Sequence, residues 1–381
     1  MLKAAVGHSN DPDSLEAIEE VIAQCKQVLG EDIPQAGLLF ASTDFDHQFI
    51  LNYINQVFPG IELIGGTSDG EVSSILEFQQ DSLALVLFYS DTIEFKAAVG
   101  RQVSTAPMKI AAQAAIDAQG RMTLAPRLCL TVPESLTTNA SEILQGLTAA
   151  LGKTPICGGT AADDFQMQAT HQFYKTEVLR DSVPLLLLGG EVKFSTGFAS
   201  GWKPMGQSAT VTKVKGNIIY EIDHQPALEF YRYYFDEFKP DYAYPLAVFP
   251  PGENGFFLRA ILSHNAEEGS IQSAGHVPLN AKVQITDASI KDVIAASQVS
   301  FGQALDRYPG KEPAAALLFS CTWRRLIMGS RTNEEFQVIT EKLKQQIPTC
   351  GFYTFGEIAP LGKGKSFLHN TTFVTLLLGG S

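Results

Sequence analysis

The feature that most constrains this chain is that it repeats itself. Leu2-Lys3-Ala4-Ala5-Val6-Gly7 returns as Phe95-Lys96-Ala97-Ala98-Val99-Gly100, 93 residues later. Each copy leads into a helix candidate, Ser14 to Leu29 and Ala106 to Gln119. In the first, Leu15, Ile18, Ile22, Cys25 and Leu29 recur at spacings of three and four, the period of a helix. A strand-like run comes next, Leu38 to Ser42 and Leu128 to Val132, then a second helix candidate, Asp46 to Val57 and Asn139 to Leu151. Ile64-Gly65-Gly66-Thr67-Ser68-Asp69-Gly70-Glu71 then matches Cys157-Gly158-Gly159-Thr160-Ala161-Ala162-Asp163-Asp164. Both copies close on an apolar strand announced by Asp-Ser, at Asp81-Ser82 and Asp181-Ser182.

A third, more diverged copy occupies the C-terminal part. Its first strand is read at Lys282 to Ile285, its first helix at Ala288 to Leu305, its next strand at Ala316 to Cys321 and its second helix at Asn333 to Gln346. Cys350-Gly351-Phe352-Tyr353-Thr354-Phe355-Gly356-Glu357 aligns with the Ile64 turn, and Asn370-Thr371 stands where Asp-Ser stood. The unit reads β-α-β-α-β-turn-β-β. Strands joined through helices lie parallel by right-handed crossovers, while those joined by short connections return antiparallel. The expected fold is therefore mixed α/β, three diverged units whose mixed sheets are covered by helices, as near-continuous apolar strands require.

Residues 191–281 do not fit the unit. They read as β-hairpins, including Thr210 to Lys215 and Ile218 to Ile222 across Gly216-Asn217, with one aromatic helix, Ala227 to Phe238. The expected organisation is a region 1–220 holding two units (about 1–93 and 94–191) plus a hairpin, then 221–381 with a β-rich insertion to about 281 and the third unit.

Charge and cysteine content narrow the function. Twenty-eight Lys+Arg against 41 Asp+Glu leave a net charge of −13, which argues against a nucleic-acid backbone as partner. Five cysteines without a CxxC pair give neither a disulfide framework nor a zinc site, and the seven histidines have no paired metal spacing. No metal and no cofactor are expected. Acidic residues arrive by Asp11, too early for a signal-peptide core, and no apolar run approaches a bilayer span. The expected location is the cytoplasm, without membrane insertion. Gly364-Lys365-Ser366 imitates the end of a phosphate loop, but Ala359 stands where its earlier glycine belongs.

Ligands of open parallel sheets bind beyond the carboxyl ends of the strands. Two sets of loops emerge there, and they supply the candidate site: Gly65, Gly66, Thr67, Ser68, Asp69 and Glu71 from the first copy; Gly158, Gly159, Thr160 and Asp163 from the second; Cys321, Arg324, Arg325, Tyr353, Glu357, His369 and Asn370 from the third. Such a set suits a small zwitterion, with Arg324 or Arg325 forking onto a carboxylate and Glu71 or Glu357 accepting from an ammonium. Structural readings stand beside these. The glycines permit close strand packing, the glutamates cap or pair, Cys321 is a small buried hydrophobe, and the tyrosines around Tyr231 pack a core.

Leu38 to Ser42, Phe58-Pro59, Ile64 to Glu71 and Asp81-Ser82-Leu83-Ala84 resemble the FIST (F-box and intracellular signal transduction) N-terminal domain. Phe319-Ser320-Cys321 with Arg324-Arg325, Gly351 to Pro360 and His369 to Thr372 resemble the FIST C-terminal domain. The resemblance implies a sensory module that binds a small ligand, amino-acid-like, and is not itself an enzyme. No kinase, cyclase or methyl-accepting segment follows Ser381, so output is expected through a signalling partner. Two alternatives remain at this stage: a hydrolase or isomerase using Cys321 with Glu357 or His369, and a ligand-free interaction scaffold.

Overall fold

The computed structural model describes residues 1–235, 243–340, 347–361 and 365–380. The first unit comprises β1 (Leu2–Ser9), α1 (Ser14–Leu29), β2 (Ala36–Ala41), α2 (His47–Val57), β3 (Glu62–Thr67), the hairpin β4 (Glu71–Ser73) and β5 (Glu77–Gln79), and β6 (Leu83–Ser90). The second repeats this order: β7 (Ile93–Arg101), α3 (Pro107–Gln119), β8 (Pro126–Thr131), α4 (Ala140–Leu151), β9 (Ile156–Gly159), β10 (Gln172–Tyr174), β11 (Glu177–Leu179) and β12 (Ser182–Gly190).

The third unit opens with β13 (Lys193–Ala199), which pairs antiparallel with the last strand of that unit just as β1 pairs with β6. This corrects the reading that began the third copy at Lys282. Lys193 to Ala199 keeps only the Lys and the Gly of the Lys-Ala-Ala-Val-Gly signature, Lys193 and Gly197 at the spacing of Lys3 and Gly7, whereas Lys282-Val283-Gln284-Ile285 has a strand's alternation. Between β13 and the unit's first helix lies the insertion: β14 (Lys203–Lys215), β15 (Ile218–Ile222), β16 (Gln225–Pro226), α5 (Ala227–Arg232), β17 (Leu246–Phe249), β18 (Phe257–Arg259), β19 (Ile261–Asn265), β20 (Ser270–Ser273) and β21 (Lys282–Asp287). Lys282 to Ile285 thus belongs to the insertion, paired with β14 and β17. The third unit resumes with α6 (Ile290–Arg307), β22 (Ala315–Cys321), α7 (Thr322–Met328), α8 (Glu334–Thr340), β23 (Thr349–Thr354), the hairpin β24 (Glu357–Pro360) and β25 (Ser366–His369), and β26 (Phe373–Gly379). The aromatic helix expected to reach Phe238 and the helix expected to reach Gln346 both extend outside the described residues.

Local signals explain these elements. Asp13 accepts from the amides of Leu15 and Glu16 and starts α1, whose Ala17, Ile18, Val21, Ile22, Cys25 and Leu29 are buried. Ser289 and Asp292 form a reciprocal capping box on α6.

The three units exchange hairpins in a ring. Each sheet begins with a unit's own first, last, second and third strands, the second and third parallel to each other. It is then completed by a neighbour's hairpin. The sheet of the first unit receives β10 and β11, that of the second receives β24 and β25, and that of the third receives β4 and β5. The sheets' inner faces share one core. Leu38 and Phe40 of β2, Leu128 and Leu130 of β8, and Leu317 and Phe319 of β22 all enter it, and Phe40 stacks on Phe352 at 4.3 Å. Their sequence neighbours Leu39, Cys129 and Leu318 point the other way, into three separate clusters. The clusters on Leu39 and Cys129 lie under the helices of their own units, and Leu318's includes Phe301, Ala304, Phe336 and Ile339 of α6 and α8. Period-two alternation with both faces apolar is what makes these strands read as unbroken hydrophobic runs.

One backbone contact recurs in all three copies. A Cβ on Gly65 would stand 1.9 Å from the Leu39 carbonyl oxygen, on Gly158 2.0 Å from that of Thr131, and on Gly351 2.1 Å from that of Leu318. Each glycine lets its strand lie against its parallel neighbour, so its role is packing.

Candidate functional site

The corners that follow β3, β9 and β23 converge on one another. The Asp69 amide donates to the Tyr353 carbonyl at 3.0 Å and the Tyr353 amide to that of Gly70 at 2.9 Å. The Ala162 amide donates to the Thr67 carbonyl at 2.8 Å, and the Thr160 amide to that of Gly356 at 2.9 Å. Corners from all three copies therefore form one interlocked ring. Its interior is filled: Thr67, Ser68, Asp69, Glu71, Thr160, Asp163 and Glu357 are all buried.

Behind each corner the first residue of the hairpin holds the start of its unit's last strand. Ser82 donates to Glu71, the Ser182 amide and hydroxyl donate to Gln172 at 3.2 and 3.1 Å, and the Thr372 amide donates to Glu357 at 3.0 Å. Asp81, Asp181 and Thr371 immediately precede these residues and share a left-handed backbone (φ 53°, 48° and 51°). Two alignments shift as a result. Gln172, not Asp164, is the counterpart of Glu71, because the second copy's corner is longer. Thr371-Thr372, not Asn370-Thr371, is the counterpart of Asp-Ser.

Burial dominates the electrostatics of this ring. It pushes the Glu71 carboxyl up to about 8 and Asp69 up to about 7, while His8 and His369 fall to about 4. His8 links Ser73 and Ser82 at 2.7 and 2.9 Å, and the Ser82 hydroxyl donates to the Glu71 carboxyl, so the chain of hydrogen bonds runs between neutral groups. Asp163 accepts from the amides of Met167, Gln168 and Ala169 at 2.9, 2.6 and 2.9 Å, which ties down its own loop.

The third copy's cations are engaged. Arg324 is wholly buried; its Nε donates to Glu335 at 2.9 Å and its other nitrogens to the carbonyls of Val293 and Ser200. Glu335 also accepts from Ser320 and from the Tyr353 hydroxyl, both at 2.7 Å. Arg325 spans the other two copies, donating to the Asp69 carbonyl at 2.6 Å and to Asp164 at 3.2 Å. Neither guanidinium presents an open fork. Cys321 lies beside Glu357, and burial together with that carboxyl pushes its thiol well above the usual range. A nucleophilic cysteine needs the opposite shift.

Open space lies one step outside the ring. A cavity of about 500 Å³ is bounded by the 135–140 loop before α4, by Phe165 and Met167 of the second corner, by Trp323 and Phe355 of the third unit, and by Ala260, Leu262 and Gln272 of the insertion. Of the sequence-derived candidates, Thr160, Cys321 and Asn370 line it. Gly65, Gly66, Thr67, Ser68, Asp69, Glu71, Gly158, Gly159, Asp163, Arg324, Arg325, Tyr353, Glu357 and His369 do not. Asn370 is buried and its Oδ1 has no hydrogen-bond partner. The insertion's wall escaped sequence reading because that segment has no counterpart in the other copies. Placing it directly after β13, at the first loop of the third unit, would have put it over the rim.

Comparison with known proteins gives the family. The FIST N domain matches residues 35–225 and the FIST C domain residues 227–360. The chain belongs to the FIST family. FIST domains are sensory domains of signal transduction. Full-length relatives include the uncharacterized protein Mb0898c of Mycobacterium bovis, 24% identical with 97% of each chain covered, and the uncharacterized protein Rv0628c of Mycobacterium tuberculosis, 25% identical with 97% of this chain and 98% of the relative covered. Among solved structures, the cyanuric acid hydrolase from A. caulinodans superposes with a TM-score of 0.37 at 9% identity, covering 100% of this chain and 99% of the other. No helix among the described residues is long and apolar enough to cross a membrane.

Proposed function

We propose that this FIST protein is a small-molecule receptor whose ligand occupies the cavity between the corner ring and the insertion. The observation that carries this reading is the buried, partnerless Oδ1 of Asn370, a residue in the wall of a cavity lined by apolar groups, hydroxyls and the side-chain amides of Asn139, Asn217 and Gln272, with no charged side chain. A buried amide oxygen without a donor costs roughly 1–3 kcal/mol, which a ligand N–H or O–H would offset. The ammonium of an amino acid is one such donor, and Trp323, Phe355 and Leu262 offer apolar surface for its side chain. The carboxylate would meet hydroxyls and amides of the 135–139 loop rather than the arginines, both of which are occupied.

Because the cavity is walled by the insertion on one side and by the second and third units on the other, a ligand bridges the two. Its differential affinity for their relative poses would carry the signal to a protein partner. Thermal shift and calorimetry against the proteinogenic amino acids and their amides test the reading. A ligand at about 100 times its Kd should stabilise the fold by roughly 2.7 kcal/mol. Leu262→Trp, which fills the cavity mouth, should abolish that gain. A panel without any shift would end the proposal.

A further inference from the structure

A second cavity, of about 590 Å³, lies on the other side of Leu368, which lines both. It sits among α4, the insertion strands and β25, and its character differs from the first. Arg259 stands in its wall, 2% exposed. Its Nε donates to the His276 carbonyl at 3.1 Å, and its Nη1 to the carbonyls of Leu258 and Leu368 at 3.0 and 2.8 Å. Among the described residues none of the hydrogen bonds or ion pairs gives it a carboxylate. The acid that acts on it electrostatically is Glu357, which makes no hydrogen bond to it and whose carboxyl burial pushes well above the usual range. Burial brings the guanidinium down to about 9, so it stays charged at neutral pH.

A buried cation without a counter-charge is costly, because carbonyl dipoles return only part of its lost hydration. The surroundings are built around it. Phe257 lies under the guanidinium at 4.1 Å and stacks with Phe367 at 5.4 Å. Gly275 packs closely against it: a Cβ there would stand 3.0 Å from both Arg259 Nε and Ser141 Oγ. Lys365 adds a second positive charge, and the lining contains no Asp or Glu, in a chain whose net charge is −13. Leu144, Val277, Pro278 and Leu368 give the walls apolar surface, beside the polar Ser141, Gln145, Thr148, His276 and Ser366.

We propose that this cavity binds a small organic monocarboxylate, its carboxylate accepting from Nη2 of Arg259, the nitrogen that donates to no carbonyl among the described residues, and its apolar body against Phe257, Phe367 and Val277. The site is distinct from the one proposed above and stands whether or not that one holds. Volume and lining fit a ligand with one charged end and an aromatic or aliphatic body.

Calorimetry with phenylacetate and hexanoate as probes, and phenylacetamide as the uncharged control, tests the site. One carboxylate should bind per chain, with phenylacetamide weaker by at least about tenfold. Ala149 is exposed on α4 at the cavity edge and makes no contact with Arg259's donors, so Ala149→Trp closes the entrance while leaving the buried cation in place. That variant, with an unchanged circular dichroism spectrum, should lose phenylacetate binding, whereas Leu262→Trp in the other cavity should retain it. No heat from either carboxylate at millimolar concentration, equal binding of phenylacetamide, or undiminished binding by Ala149→Trp would each overturn the proposal.

Discussion

Glu71, Gln172 and Glu357 hold the same place in three copies and show how one side chain's job survives a change in its chemistry. Each accepts hydrogen bonds at the start of its unit's last strand, and Gln172 does so with an amide that never ionises. Glu71 has the same need to stay neutral, and burial holds its carboxyl near 8. Its folded pKa lies above the unfolded value, so its contribution to stability is complete below about 4.5 and is lost as the pH rises through about 8. Glu71→Gln should therefore change stability by less than about 1 kcal/mol at pH 5 and should gain on the wild type by roughly 4 kcal/mol at pH 8, read from urea unfolding at both pH values. A difference independent of pH would mean that Glu71 is ionised in the folded state.

At the scale of elements, the Arg324–Glu335 pair fastens several pieces at once. Arg324 begins in α7, and its nitrogens reach Glu335 of α8, Val293 of α6 and the carbonyl of Ser200, where the chain leaves β13 for the insertion. Tyr353 of β23 and Ser320 of β22 complete the shell of Glu335. Removing one partner leaves the other charge buried, which costs about 3–5 kcal/mol. Arg324→Met should show that loss in its urea midpoint, and the double variant Arg324→Met with Glu335→Gln should recover part of it. Equal losses in the single and double variants would show that the pair's charge complementarity is unimportant. The same element scale exposes why the third unit's beginning was misread. β13 pairs with β26, packs Phe194 and Phe198 against the shared core and carries α6 on its other face, where Gly197 lies so near the helix that a Cβ would stand 1.9 Å from the Ser300 carbonyl oxygen. Those demands keep only the Lys and the Gly of the Lys-Ala-Ala-Val-Gly pattern, at Lys193 and Gly197, and replace the residues between them with Phe-Ser-Thr.

For the whole molecule, the ring of exchanged hairpins makes the units interdependent. Residues 1–191 contain two complete copies by sequence, yet the second copy's sheet ends on β24 and β25, and β4 and β5 find their sheet on β23 of the third. Leu317, Phe319 and Phe352 also supply the third side of the shared core. A fragment of residues 1–191 should lack a cooperative urea transition and a near-ultraviolet circular dichroism signal. In the full chain, tryptophan fluorescence and far-ultraviolet circular dichroism should report coincident midpoints. A sigmoidal, native-like transition in the fragment would show that the exchange is dispensable.

The triplication, the unit's order of strands and helices, most helix limits and the glycine positions were legible in the sequence, because each is set by local chemistry: a period of 3.6 or 2, a capping side chain, a strand too close for a Cβ. The convergence of the corners was legible too, since equivalent loops follow equivalent strands. Sequence could not show that the corners fill their own centre, that Arg324 and Arg325 spend their donors inside it, or that Arg259 from the insertion faces a cavity. Those outcomes depend on which surfaces meet after the hairpins are exchanged. A side chain's neighbours across a sheet edge lie up to hundreds of residues away along the chain, where no local pattern records them.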